Sequence, residues 1–305
     1  MDTPILEIKN FYKDFRSYWT FARKPVVKNL NIRVNHGEAF GFLGHNGAGK
    51  TTTIKAILGL LKTTSGEILI NGKSDYSRED IGYLPEQPYF YDHLTVKETL
   101  EFFAALLELK DQSRIAEVMD ELELTDRANQ KVRALSKGWQ QRLGVAQAIL
   151  NKPKLLILDE PFSGLDPLGR RTIKEIMFKL KNEGTTIFMS SHALSDVSEL
   201  CDRVAIMAKG ELVTLLDLEE WKKTSIRSFE IKIDSASETA WQKLEGFSLN
   251  ISPAAKRRGI MTFNDYSAAQ KTLNYCLQNE IKIISFESKA PSLEEVFIGI
   301  TEQQK

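Results

Sequence analysis

Eight consecutive residues constrain this chain more than any others: Gly44-His45-Asn46-Gly47-Ala48-Gly49-Lys50-Thr51. Glycines let such a loop curl until successive backbone N–H groups point inward at an anion. The lysine adds a positive charge, and the threonine hydroxyl can ligate Mg²⁺. The loop works only where a strand hands over to a helix. Residues 38–43, Glu-Ala-Phe-Gly-Phe-Leu, read as a short buried strand, and residues 52–61 as the helix. The expectation is an α/β fold that binds a nucleoside triphosphate.

Residues 155–161, Leu-Leu-Ile-Leu-Asp-Glu-Pro, run four aliphatic side chains into two carboxylates. An unbroken apolar run of that length suits a parallel strand buried on both faces. Ligands of open α/β sheets sit beyond the carboxyl ends of the strands, so Asp159 and Glu160 are expected beside the phosphate loop. Asp159 suits Mg²⁺, reached through a water, and Glu160 suits orienting or deprotonating an attacking water. A guanine-reading Asn-Lys-x-Asp motif finds its nearest match in Asn151-Lys152-Pro153-Lys154, which lacks the acid. ATP is therefore favoured.

The chain has 305 residues, enough for one large or two modest domains. Basic and acidic residues balance at 41 each, so no bulk charge argues for DNA or RNA as the main partner. Cys201 and Cys276 lie far apart with no metal-ligand spacing, which fits a reducing cytosol. The start, Met1-Asp2-Thr3-Pro4, lacks the regions of a signal peptide, and no apolar run approaches the length of a membrane span. A soluble cytoplasmic chain is expected.

Between the two acidic and glycine-rich motifs stands Leu135-Ser136-Lys137-Gly138-Trp139-Gln140-Gln141-Arg142. Ser136 is a good helix cap, and a helix starting there aims free N–H groups at an anion. This segment resembles the L-S-G-G-Q signature of the ATP-binding-cassette family, with Lys137 in place of glycine and Trp139 in place of glutamine. The resemblance implies a P-loop ATPase core carrying a helical subdomain. It also implies nucleotide contacts from Gly44, Asn46, Gly47, Gly49, Lys50, Thr51 and Thr52, and from Ser136 and Gly138. Further family elements follow in order. Gln87, in Gly82-Tyr83-Leu84-Pro85-Glu86-Gln87, matches the glutamine that senses Mg²⁺ and attacking water. Asp166, in Ser163-Gly164-Leu165-Asp166, matches the loop that signals across the dimer, and His192 matches the switch histidine of the γ-phosphate. Thr51, Gln87 and Asp159 are thus the candidate Mg²⁺ residues, with Glu160, His192 and Gln87 the catalytic set. For the aromatic platform under adenine, Phe15 is favoured over Tyr18, Trp19 and Phe21.

One phosphate loop and one signature in this family imply a dimer in which each copy completes the other's site. A homodimer is the simplest form, with heterodimers left open. The expected division is a nucleotide-binding domain over residues 1–222, with its helical subdomain at about 88–142, and an accessory domain over 223–305. Val96, Leu100, Phe103, Ala104 and Leu107 space out one apolar helix face in the subdomain. Tyr89-Phe90-Tyr91 are read as core, the alternative being a contact lining the groove that receives a transporter's membrane domain. Beyond residue 222, Phe229/Ile231/Ile233, Phe247/Leu249/Ile251, Met261/Phe263 and Ile281/Ile283 alternate as strands, and Ala269, Leu273, Cys276 and Leu277 form a helical stripe. That order, β-α-β-β-α-β, predicts a small α+β domain of ferredoxin-like type. Lys256-Arg257-Arg258 falls in its hairpin turn, and residues 290–298 resemble the ending of ATPase subunits of ABC-2-type exporters. The function implied is ATP hydrolysis driving a separate membrane permease from the cytoplasmic face of the membrane. The rival is a soluble cassette ATPase with a ribosomal, nucleic-acid or regulatory role.

Overall fold

The computed structural model describes residues 3–16, 22–224, 228–234, 244, 250–255, 258–279 and 281–289. The chain divides into two units, Met1–Leu218 and Glu219–Lys305.

In the first unit, β1 (Leu6–Arg16) lies between β2 (Arg23–Val34) and β4 (Ser65–Ile70) in an antiparallel sheet. A second sheet has the order β5-β6-β7-β3-β8-β9, built from β3 (Ala39–Gly44), β5 (Ile81–Leu84), β6 (Leu155–Asp159), β7 (Thr186–Ser191), β8 (Arg203–Ala208) and β9 (Glu211–Asp217). All its pairings are parallel except β8 with β9. Every residue of β3, β6 and β7 is buried, as sheet strands covered on both faces must be. Between the sheets lies an apolar core that includes Phe11, Phe40, Phe42, Ile54, Ile157 and Phe188, with the Phe40 and Phe188 rings stacked at 5.7 Å.

Strand order places the site. The glycine-rich loop leaves β3, the acids leave β6, and His192 leaves β7, which separates the other two; Asp159 pairs with Ser190 and Leu43 with Ser191. Three neighbouring parallel strands therefore end at one edge, where an open α/β sheet holds its ligand.

The helix after the loop, α1 (Lys50–Ile57), is shorter than the sequence suggests. A turn through Gly59 at φ +67 follows it and ends the helix before residue 61. Helices α2 (Val96–Leu106), α3 (Ser113–Glu121) and α4 (Lys137–Ile149) make the helical region, and α2 opens on a capping box of Thr95 and Glu98. Val96, Leu100 and Ala104 are buried as expected, whereas Leu107 is not. The aromatic triplet splits: Phe90 is core, but Tyr89 and Tyr91 are 87% and 49% exposed, because neighbouring side chains of an irregular segment cannot all face inward. Helices α5 (Pro167–Asn182) and α6 (Leu194–Leu200) complete the unit, and α7 (Leu218–Thr224) follows.

In the second unit, β10 (Ser228–Asp234), β11 (Asn250–Ala255), β12 (Arg258–Phe263) and β13 (Lys282–Lys289) pair antiparallel in the order β11-β12-β10-β13. That is the ferredoxin-like order, with α8 (Tyr266–Gln278) joining the last two strands. Ile231, Ile233, Met261, Phe263, Ala269 and Cys276 form its core. The helical stripe differs from expectation at two positions: Thr272 is buried and Leu277 is 64% exposed. Thr272 can sit inside because its hydroxyl donates to the Ala268 carbonyl within the helix. Phe247, Leu249, Lys256, Arg257 and the segment 290–298 lie outside the described residues.

Candidate functional site

Lys50 is the centre of the site and is 6% exposed. Its Nζ donates to the Gly44 carbonyl at 2.6 Å and lies 3.1 Å from Glu160 Oε1. Gly49, at φ +105, caps α1; a Cβ there would stand 3.0 Å from the Val26 carbonyl, so the tight loop requires glycine twice over. The loop encloses a cavity of about 290 Å³. Asn46, Gly47, Gly49, Lys50, Thr51, Thr52 and Glu160 line it, as the sequence anticipates, together with Val26, His45 and Glu86, which it did not single out.

Glu160 stands in the left-handed region at φ +50, a conformation that costs a non-glycine residue energy and recurs at functional positions. The turn aims its carboxylate back across the strand ends. Oε2 lies 2.7 Å from His192 Nδ1 and accepts the His192 backbone N–H at 3.3 Å. Oε1 makes no hydrogen bond and faces Lys50 alone. One buried carboxylate thus holds the loop lysine on one side and the histidine on the other.

Ser190 fixes the acids from behind. Its hydroxyl donates to Asp159 Oδ1 at 2.6 Å and accepts the Glu160 N–H at 3.0 Å. The sequence does not single out this residue, although a serine directly after the buried apolar run Ile187-Phe188-Met189 was the available signal. Burial, and secondarily the charge of Asp159, pushes the Tyr83 phenol up to about 12, so the tyrosine stays neutral beside the acids. Behind His192, Asp196 is 4% exposed and lies 3.5 Å from Arg170 and 3.8 Å from Lys174. Burial raises its carboxyl above the ordinary range, and those two cations oppose the rise.

Other expected residues stand apart from this cavity. Gln87 is exposed after β5 and does not line it. Ser136 occupies the cap position of α4, but its hydroxyl makes no capping hydrogen bond, so the cap expected there is absent and the N–H groups of the first turn stay open. Gly138 lies in that turn, and Asp166 caps α5 by accepting the Gly169 N–H at 2.8 Å. Phe15 belongs to β1 itself, 44% exposed, pairing with Lys24 on β2 close to Val26 of the cavity wall. Tyr18, Trp19 and Phe21 lie outside the described residues. Among the described residues no cluster of three or more His, Cys, Asp or Glu could hold a metal by itself. Thr51 lines the cavity and Asp159 ends β6 next to Glu160 of its wall, an oxygen pair whose chemistry suits a hard ion carried in with a phosphate.

Residues 27–163 match the family model described as ABC transporter. An ABC transporter ATP-binding protein of Bacillus subtilis (strain 168), itself uncharacterized, is 35% identical over 97% of this chain and 99% of its own length. The chain belongs to the ABC transporter family of ATP-binding proteins. The bacitracin transport ATP-binding protein BcrA of Bacillus licheniformis is 35% identical over 92% of this chain and 94% of its own. An ATP-binding cassette solved as a dimer in a post-hydrolysis state with ADP and Pi superposes with a TM-score of 0.64, at 26% identity over 70% of this chain and 98% of that one. This protein is accordingly an ATP-binding and ATP-hydrolysing subunit that energises a membrane transporter. No helix among the described residues is long and apolar enough to cross a membrane.

Proposed function

We propose that two copies of this chain close over two ATP molecules and drive export through a separate ABC-2-type permease, working from the inner, cytoplasmic face of the cell membrane. The observation that carries the catalytic reading is the single carboxylate of Glu160 set between Lys50 and His192. The γ-phosphate of ATP competes with Glu160 for Lys50. Once displaced from the lysine, Glu160 becomes a free base for the attacking water, and His192, released from it, can turn to the γ-phosphate. Mg²⁺, held by Thr51 and, through water, by Asp159, with Gln87 reporting on it, would neutralise charge developing on the phosphates. Gly44, Asn46, Gly47, Gly49 and Thr52 supply the phosphate cradle, and Phe15 the adenine platform. Ser136, Gly138 and Asp166 act toward the nucleotide of the other copy. The export reading is supported by BcrA, a transport ATP-binding protein matched across most of both chains.

Two experiments test this. The native protein drawn from a detergent extract should bring down a multi-span membrane subunit; ribosomes or nucleic acid in its place would support the rival reading. Mixing a Lys50→Ala chain with a Ser136→Arg chain, each inactive alone, should restore ATPase activity by leaving one intact composite site. No recovery after demonstrated exchange of chains would count against the shared site, unless ATP occupancy per dimer shows strict coupling.

A further inference from the structure

The two departures from the family signature, Lys137 and Trp139, are both engaged. Trp139 is half-buried in the first turn of α4, and two guanidinium groups stand over its ring, that of Arg127 at 4.1 Å and that of Arg142 at 4.4 Å from the centroid. Neither cation depends on the ring alone. Arg127 closes a short turn, Thr125–Arg127, and donates to Gln130 Oε1 at 2.8 Å. Arg142 is buried, pairs with Glu123, and donates to Thr172 Oγ1 of α5 at 3.1 Å. A turn of the helical region, the signature helix and α5 therefore meet at one indole. Trp offers the strongest π face for cations, and a glutamine in its place offers none.

Two more contacts run the same way. Gln141, 1% exposed, donates from Nε2 to the Pro161 carbonyl at 3.1 Å. The Lys137 side chain covers Gly164, where a Cβ would lie 2.4 Å from its Nζ, at a backbone φ of +69. Helix α4 is thus tied at three places to the segment that follows Glu160. Because Ser136 forms no side-chain cap, the direction of the open N–H groups depends on how α4 is held.

We propose that Trp139 is a positioning residue: by gathering Arg127 and Arg142 it seats the first turn of α4 against α5, and so aims Ser136 and Gly138 at the phosphates of a nucleotide held by a second copy. This rests on the two-copy reading above.

The test uses the full chain carrying Glu160→Gln, in which bound ATP persists, and reads dimerisation by sedimentation as ATP is raised. Adding Trp139→Ala should raise the ATP concentration for half-dimerisation at least tenfold, and Trp139→Phe should recover most of the loss. ATP affinity at protein concentrations too low for dimerisation should stay within twofold, because the chain's own phosphate loop is untouched. A purely stabilising tryptophan would lower the melting temperature and leave the dimerisation midpoint unchanged; that result overturns the inference. Should Trp139→Ala fail to fold, Arg127→Ala decides, with a several-fold shift expected and an unchanged midpoint contradicting. If the parent Glu160→Gln chain itself does not dimerise with ATP, the two-copy reading falls, and this inference with it.

Discussion

The two units bury comparable kinds of apolar side chain but differ in what else they bury. In residues up to Leu218 the interior also holds Glu38, Lys50, Arg114, Arg142, Asp159, Glu160 and Asp196, all ionisable. Past Leu218, Thr272 is the sole polar residue buried as a whole among the described ones, and it is neutral; Glu230 buries one carboxylate oxygen, with Lys232 3.9 Å away. Desolvating a charge is costly unless a partner compensates, so buried charge marks a place where chemistry outweighs packing. The first unit carries such a place and the described residues of the second carry a core without one, although both are equally recognisable as folds.

The sharpest way to break this contrast is Lys50→Ala. Losing the buried cation of the loop should weaken ATP binding at least about a hundredfold, the scale of an uncompensated phosphate charge. Equilibrium binding of a fluorescent ATP analogue reads this out, and retention of normal affinity would move the site elsewhere.

Phe15→Ala should cost about 1 kcal/mol, roughly a fivefold loss in ATP affinity, as expected for one aromatic stack. Trp19→Ala should leave affinity unchanged. The reverse ranking would move the adenine platform into the segment after β1.

A chain ending near Lys223 should keep its ATP affinity within about twofold, since the described residues of the second unit supply core and no metal site, while its ATP-driven dimerisation or transport drops. Loss of ATP binding in a truncated chain that still melts cooperatively would erase the contrast between the units.

The smallest effect concerns pH. The carboxyl of Asp196 is raised in the folded protein by burial, so the native state holds its proton more tightly than the unfolded chain does. Its contribution to stability therefore falls as pH climbs from the ordinary carboxylate value to the raised one, and is level on either side. Asp196→Asn should flatten the pH dependence of the denaturant midpoint within that window. An unaltered slope there would show that another group of the first unit, such as Glu38, whose carboxyl is also raised by burial, carries the dependence.

Much of the site was legible because each motif sits where an apolar run stops. Phe42-Leu43 before the loop, Leu155 to Leu158 before the acids, and the run into His192 all announce strand ends, and parallel strands deliver their ends to one edge. The convergence of Lys50, Glu160 and His192 follows from that pattern. Contacts set by three-dimensional approach were not legible. Val26 reaches the loop because β2 passes beside Gly49, which no local pattern encodes. Of the two cations over Trp139, Arg142 stands three residues on in the same helix, a neighbour the spacing already gives, whereas Arg127 comes from a separate turn that only the fold brings there. The aromatic triplet after β5 lacked any period from which to tell inward from outward. In the second unit, alternation sufficed for the strands, while a hydroxyl satisfied within its own helix hid Thr272 among the core residues.

The central claim is that Glu160 is the base of an ATPase and waits on Lys50 until ATP takes its place. Its most direct test is steady-state hydrolysis by Glu160→Gln, measured beside ATP affinity in the same preparation. Turnover should fall at least about a hundredfold, the scale of losing a catalytic base, with ATP bound as tightly as before or more tightly, since the competing carboxylate is gone. Near-normal turnover, or a loss of ATP binding equal to that of Lys50→Ala, would contradict the account.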